Sequence, residues 1–357
     1  MTKQTYRVVQ WATGSVGRIA IRHFIDNPVF DLVGVLVTNP EKVGRDAGEL
    51  AGARRSGVFA TDDPEAILAL DADCVHYAPR QPDLDMICRL LRSGKNVVSP
   101  VCYVYPTNHY KADLERIDAA CRDGGTSFHG TGVHPGFAGD LLPLTLTRLM
   151  SRIDCIHVHE TVDLSNKHAA WPLAMGIGWD PDEALAKPGR SPESVHAFVQ
   201  SMAMVVEGLG KSIEKVTTKF EVARATRDIA APFGLVRQGT VGGLHYEWTA
   251  WADGHPLVVY HSIWTMGADI DADWASGSNK YRIVIEGDPP IQLTLEANRL
   301  HPQGDQGYWG LVWTAMNGVN LIPAVCDARP GLVTHMDLGI ATPRGLVRPR
   351  SADFNEP

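Results

Sequence analysis

Over the first 130 residues, short apolar runs alternate with amphipathic stretches, separated by glycine, proline or acidic turns. Residues 6–11 (YRVVQW) are rich in β-branched and aromatic side chains, the composition of a buried strand. Ile19, Ala20, Ile21, His23 and Phe24 continue as a helix, and residues 30–38 (FDLVGVLVT) read as a second buried strand. A short strand follows at 58–61, then a helix opened by Asp62-Asp63-Pro64 and a strand at 73–78. Leu84, Ile87, Leu90 and Leu91 share one face of a helix over 82–92 that Gly94 ends. Strands at 96–101 and 126–130 flank a helix over 108–122. Such alternation is the pattern of a doubly wound parallel sheet, hence the α/β class.

From residue 153 the period shortens. Residues 153–163 (IDCIHVHETVD) alternate, 191–208 read as a helix, and 216–227, 236–252, 257–266, 281–287 and 291–297 are strand-like. Turns at Asp253-Gly254 and Asp288-Pro289-Pro290 leave hairpin-length breaks, which imply a mixed or antiparallel sheet in an α+β domain. Helix returns near 308, and 320–332 (NLIPAVCDARPGL) is a segment able to pack back on the first domain.

Between the first strand and helix stand Ala12, Thr13, Gly14, Ser15, Val16 and Gly17. Ala12, Gly14 and Gly17 have the spacing of a G-x-G-x-x-G turn, with alanine in the first place. Strand, turn and helix together aim backbone N–H groups and a positive helix end at one point, where a pyrophosphate can sit. The expected organisation is a dinucleotide-binding domain of residues 1–150, an α+β domain over 151–307, and a terminal segment, 308–357, able to return to the first. The second strand ends in Thr38-Asn39-Pro40, where NAD sites usually carry a carboxylate for the ribose 2′-hydroxyl. With no carboxylate there, and Lys42 and Arg45 close behind, NADP is preferred over NAD.

Ligands of such sheets gather beyond the carboxyl ends of the strands. Those ends include Ala78-Pro79, residues 99–105 and the loop 130–137 (GTGVHPGF), whose glycines mark it for the nicotinamide end. His134 in that loop suits a general acid near neutral pH. Tyr103 could donate a proton or orient a carbonyl, with Cys102 and Tyr105 as pocket neighbours. Lys167 and His168 could bind an anionic substrate, and His196 on the next helix is a further pocket residue. His157 and His159 face one side of a strand, a spacing used by metal sites. Glu160 points the other way and no third ligand is evident, so no metal is expected. Ser15 lacks the G-x-S-x-G elbow of a hydrolase nucleophile.

Charge and cysteine usage narrow the partners. A net charge of −8 denies the chain the basic surface a nucleic-acid binder needs. No apolar run approaches a membrane span, and the N-terminus lacks a signal-peptide apolar core. The six cysteines (74, 88, 102, 121, 155, 326) are scattered without a C-x-x-C pair, which fits reduced thiols and a cytoplasmic protein.

The glycine turn, GTGVHPGF, MGIGWDP (175–181) and NLIPAVCDARPGL occur in an order that resembles the dihydrodipicolinate-reductase-like oxidoreductases. Within them the chain is most similar to the branch of 2,4-diaminopentanoate dehydrogenase and the native amine dehydrogenases. The resemblance implies a Rossmann domain of residues 1–150 plus 308–357 with an inserted α+β substrate and dimerisation domain over 151–307, and a homodimer. It also implies hydride transfer between a nicotinamide and a C=O or C=N carbon; the expected substrate is small or medium and largely apolar. It assigns Thr13 to Gly17 to the phosphate turn and Thr38 and Asn39 to the adenosine side. Ala78 and Pro79 take the next loop, and Thr131, Gly132 and Pro135 the nicotinamide side. Two departures stand out. HETVDLSNKHAAW lacks the His-His-Arg-x-Lys motif of true dihydrodipicolinate reductases, which sets lysine biosynthesis aside. The amine dehydrogenases carry a glutamate just after the strand ending near Val101, where this chain reads Val101-Cys102-Tyr103-Val104-Tyr105. Ammonia-dependent amination and a non-catalytic NADP-binding module therefore stand beside plain carbonyl or imine reduction.

Overall fold

The computed structural model describes residues 5–101, 103–167, 171–187, 196–277, 280–299 and 307–347. Two compact units emerge. The first comprises Met1–Tyr103, Tyr110–Gly132 and Thr314–Pro357; the second comprises Val104–His109 and Val133–Trp313.

The first unit is built on strands β1 (Tyr6–Trp11), β2 (Phe30–Leu36), β3 (Cys74–Tyr77), β4 (Asn96–Ser99) and β5 (Ser127–Gly130). With the Gly331–Leu332 strand they form one parallel sheet, ordered Gly331–Leu332, β5, β4, β3, β1, β2. Consecutive residues of β1 are buried because apolar layers cover both faces, the reason parallel strands read as unbroken apolar runs. Tyr6 and Val8 join a core with Ala20, Ile21, Phe24, Val319 and Ile322. Val9 and Trp11 join the opposite core with Ile87, Leu90, Leu91, Leu114 and Ile117. The order reverses at β1, between β2 and β3, which opens a crevice beyond the strand ends there. The doubly wound α/β class read from the pattern is the fold observed.

Residues 58–61 are not a strand. Only isolated bridges, Asp46 with Phe59 and Leu36 with Thr61, mark them, and Phe59 is exposed. The buried Asp46 carboxylate gathers this loop by accepting the N–H groups of Gly48, Glu49, Ser56 and Gly57. Backbone donors satisfied by a side chain leave little for a ladder.

The second unit holds β6 (Arg152–Asp163), β7 (Lys215–Arg224), β8 (Ile229–Ala231), β9 (Gly234–Val236), β10 (Val241–Ala252), β11 (His255–Thr265), β12 (Lys280–Asp288) and β13 (Ile291–Glu296). Six of them form a mixed sheet, ordered β13-β12-β6-β11-β10-β7, in which only β6 and β11 run parallel. The strand expected over 236–252 is interrupted: Val236 ends β9 of the β8–β9 hairpin, and a turn at 237–240, closed by the Thr240 N–H on the Arg237 carbonyl, separates it from β10. The His196–Gly208 helix covers one face, where Met202, Val205 and Val206 share a core with Val158, Trp248 and Tyr260.

The boundary between units falls after Gly132 rather than near 150, and after Trp313 rather than at 307. Leu142, Leu144, Leu146 and Met150 pack against the second unit's core, and Trp313 joins Val133 and Tyr281 there. An apolar segment belongs to the core that buries it. No described helix is long and apolar enough to cross a membrane.

Candidate cofactor and active site

The turn after β1 is shaped by three small residues with different tasks. A Cβ on Gly17 would stand 2.2 Å from the Ala12 carbonyl oxygen, so only glycine lets the Ser15–Asp26 helix lie this close to the strand. Nothing lies within 4 Å of a Cβ placed on Gly14, which leaves space over the turn. Ala12 has φ +72°, the left-handed region that glycine enters without a Cβ penalty. Buried Gln10 steadies that conformation: its Nε2 donates to the carbonyls of Trp11 (3.0 Å) and Ala12 (2.9 Å). With both amide hydrogens so used, Gln10 Oε1 accepts from His76 Nδ1 at 2.8 Å. Burial holds His76 down at about 4, so its ring is neutral.

Gly14 caps the Ser15–Asp26 helix without a side-chain bond, so the first-turn N–H groups face the open space. That space is a cavity of about 330 Å³ lined by Ala12 to Val16, Thr38, Asn39, Lys42, Ala78, Pro79 and Arg80. Lys42 Nζ donates to the Thr13 carbonyl (3.2 Å) and Thr13 Oγ1 (3.0 Å), placing its charge against the turn. None of the lining residues is acidic. Arg45, expected here, instead binds Glu49 through Nε and Nη2 at 3.2 and 2.7 Å and does not line the cavity. Arg80, one residue beyond the expected Ala78-Pro79, is the second cation. A nicotinamide dinucleotide fits these groups: open helix N–H groups for a pyrophosphate, cations for phosphates, and no carboxylate to repel them.

Beyond β5, Thr131 Oγ1 accepts from Asn317 Nδ2 at 2.7 Å and stands 3.1 Å from His335 Nε2. Asn317 Nδ2 also donates to the Gly132 carbonyl at 2.8 Å. Both partners come from the C-terminal segment. Asn317 and Asn320, two asparagines in a largely apolar helix, are the sequence signal for the first of these partners.

His134 and Pro135 lie in the second unit. The His134 side chain is 1% exposed, packed among Phe198, Tyr260 and Tyr281. Its Nδ1 is 3.4 Å from Glu160 Oε2, which also accepts from Ser262 Oγ at 2.8 Å. Tyr281 donates to Glu160 Oε1 at 3.4 Å. Asp140 braces the same loop, accepting from the Gly136 and Leu141 N–H groups and from the Ser201 hydroxyl. Burial pushes its carboxyl up, and those donors draw it back only in part. Glu160 faces away from His157 and His159, as the strand alternation predicts, and its partner His134 lies in a loop that the alternation does not reach.

The remaining candidates are dispersed. The Tyr103 hydroxyl donates to Asp113 at 2.9 Å, and its ring packs edge-on against Tyr110 and Phe128 in the first unit. Tyr105 belongs to the second unit, donating through its hydroxyl to Glu207 at 2.8 Å. His196 stacks on His109 with centroids 3.4 Å apart; burial, then that neighbour, lower its pKa. Lys167 is buried. Cys102 and His168 lie outside the described residues.

Comparison with known proteins follows the same lines. Residues 137–351 match the family model of the 2,4-diaminopentanoate dehydrogenase C-terminal domain. An amine dehydrogenase of Streptomyces virginiae is 35% identical, over 92% of this chain and 95% of its own. A 2,4-diaminopentanoate dehydrogenase of Acetoanaerobium sticklandii is 26% identical, covering 74% of this chain and 71% of its own. Among solved structures, an amine dehydrogenase from Mycobacterium smegmatis superposes with TM-score 0.76 at 22% identity, covering 97% of this chain and 98% of its own. A myo-inositol dehydrogenase from Lactobacillus casei, solved with NAD(H) and myo-inositol, gives 0.57 at 12% identity over 92% and 89%. At those identities the two structures speak for the fold.

Proposed function

The chain belongs to the 2,4-diaminopentanoate dehydrogenase family, and we propose that it interconverts a small, largely apolar carbonyl compound and the corresponding amine at the expense of NADP(H). It is an NAD(P)-dependent oxidoreductase of amine or carbonyl substrates. The observation that carries the reading is the carboxylate-free cavity over Gly14, with Lys42 and Arg80 in its wall. Two cations without a carboxylate suit the extra 2′-phosphate of NADP.

When bound, the nicotinamide supplies or accepts the hydride. The residues of this chain do the rest. Thr13 to Gly17 hold the pyrophosphate with backbone N–H groups, and Lys42 and Arg80 supply the positive charge for the 2′-phosphate. Thr38, Asn39, Ala78 and Pro79 border the adenosine side, and Thr131 and Gly132, fixed by Asn317 and His335, the nicotinamide side. His134 holds the proton for the substrate oxygen or nitrogen. Support for that role is the Glu160 carboxylate 3.4 Å from Nδ1, a partner placed to orient the ring. The Tyr103 hydroxyl, engaged by Asp113, is the weaker donor. The free, mostly buried thiols accord with a cytoplasmic protein, and the family likeness with a homodimer.

A second reading, reduction of a carbonyl or preformed imine without ammonia, draws on the lack of a carboxylate in Val101-Cys102-Tyr103-Val104-Tyr105. Consumption of NADPH and NADH over a panel of ketones and aldehydes, with and without ammonia, separates the two. Ammonia-dependent turnover is expected. Turnover indifferent to ammonia selects the second reading, and cofactor binding with no consumption sinks both. His134→Gln should lower kcat about 10²-fold while NADPH binding stays as it was; an unchanged kcat removes His134 from proton transfer.

A further inference from the structure

The face of the mixed sheet opposite the His196–Gly208 helix carries a group of histidines that the oxidoreductase reading does not use. His157 and His159 on β6 are joined there by His261 on β11 and His245 on β10. Strand register makes the grouping: β6 and β11 run parallel with His159 opposite His261, and β10 runs antiparallel to β11 with Glu247 opposite His261. His261 is brought beside His159 from a strand a hundred residues away, while His245 and Glu247 reach it from the preceding strand of the same hairpin.

We propose that this face binds one divalent transition-metal ion, Zn²⁺ or its borderline neighbours, through His245 Nε2, His261 Nδ1 and a Glu247 carboxylate oxygen. His245 Nε2 is 3.2 Å from His261 Nδ1, and Glu247 Oε2 is 3.6 Å from the same nitrogen. One ligand atom from each of the three residues can be chosen so that all lie within 4.8 Å of one another. Ligands of a tetrahedral zinc ion with bonds near 2.0–2.1 Å stand ~3.3 Å apart, so little movement is needed to close the set. Glu221 Oε2 lies 3.3 Å from His245 Nδ1, on the far side of the ring from the ligand nitrogen. A carboxylate behind a ligating imidazole keeps the proton on the other nitrogen and fixes the ring, as in carboxylate–histidine–zinc sets. His159 stacks on His261 at 4.4 Å, holding its plane.

Access and chemistry agree. His261 and Glu247 line an open depression of about 910 Å³ with His157, Trp251, Val259 and Glu286. Two imidazoles and one carboxylate, with the fourth position left to water, form a ligand set that zinc, nickel and copper favour over magnesium or calcium. The ion would clip β10 to β11, well separated in sequence from the turn at Gly14.

The test uses tag-free, full-length protein, stripped with chelator and titrated with Zn²⁺ by calorimetry, with Cu²⁺ spin resonance as the second readout. Saturable binding of one ion per chain is expected, with a copper spectrum split by imidazole nitrogens. Glu247→Gln and His261→Asn should each weaken zinc binding at least about tenfold while leaving NADPH affinity unchanged. If His261→Asn does not fold, His245→Asn replaces it in the comparison. The proposal falls if binding is not saturable, if these variants bind as tightly as the parent, or if copper shows no nitrogen splitting. Those outcomes would leave a simple N–H···N hydrogen bond between His245 and His261. None depends on turnover, so failure here is distinct from failure of the assigned activity.

Discussion

Lys42 shows how much a single side chain can decide. Its ammonium bridges the Thr13 carbonyl and hydroxyl, beside a helix end whose N–H groups have no side-chain cap. The cationic character behind β2 was legible in the sequence, but which cation would serve was not. Arg45 sits four residues before Glu49, and in the Ala47–Ala51 region that spacing draws the two together on the surface. Arg80 reaches the cavity because β3 lies next to β1, a matter of strand order. Lys42→Met is expected to weaken NADPH binding about tenfold or more and NADH binding much less. Quenching of the tryptophan fluorescence by each cofactor measures both. Equal losses would mean that Lys42 addresses the pyrophosphate and not the 2′-phosphate.

Among elements, the pairing of β1 with β3 has a polar seam inside an apolar core. Gln10 and His76 are both buried, joined at 2.8 Å, and the glutamine in turn ties down the turn carbonyls. Burial holds the His76 imidazole at about 4, below its ordinary 6.5. The folded state therefore binds this proton less readily than the unfolded state. The stability this contributes is fully present above pH 6.5 and is lost as the pH falls towards 4, on the order of 3 kcal/mol in all. Urea melts at a series of pH values should show the parent losing stability faster over that window than His76→Gln. Parallel curves would exclude His76 as the titrating group. The strand expected at 58–61 failed at this same scale: local propensity was overruled by one buried carboxylate, Asp46, that collected the loop's donors.

For the whole molecule, the chain returns at its end to complete the unit in which it began. Residues 331–332 pair with β5, His129 Nδ1 donates to the Val333 carbonyl at 2.9 Å, and Ser127 Oγ donates to the Arg329 carbonyl at 2.8 Å. Ending the chain at Cys326 would bare the β5 edge and remove the His335 partner of Thr131. Such a truncation should melt about 10 °C lower and bind NADPH more weakly. Calorimetric melting with and without cofactor checks this, and an unchanged melting temperature would make the terminal segment dispensable.

Alternation of strand and helix, the glycine spacing after β1 and the absent carboxylate after β2 are local patterns, so the amino-acid sequence alone determined the parallel sheet, the tight glycine turn and the family likeness. Backbone sterics and side-chain period act over a few residues and leave their mark in any one stretch. The unit boundary at Gly132, the exchange of Arg45 for Arg80, the joining of His134 to Glu160 and the stacking of His159 on His261 came from elsewhere. Each depends on which core buries a segment or on which strand lies beside which. Those choices are made by long-range burial and pairing, and only the tertiary structure records them.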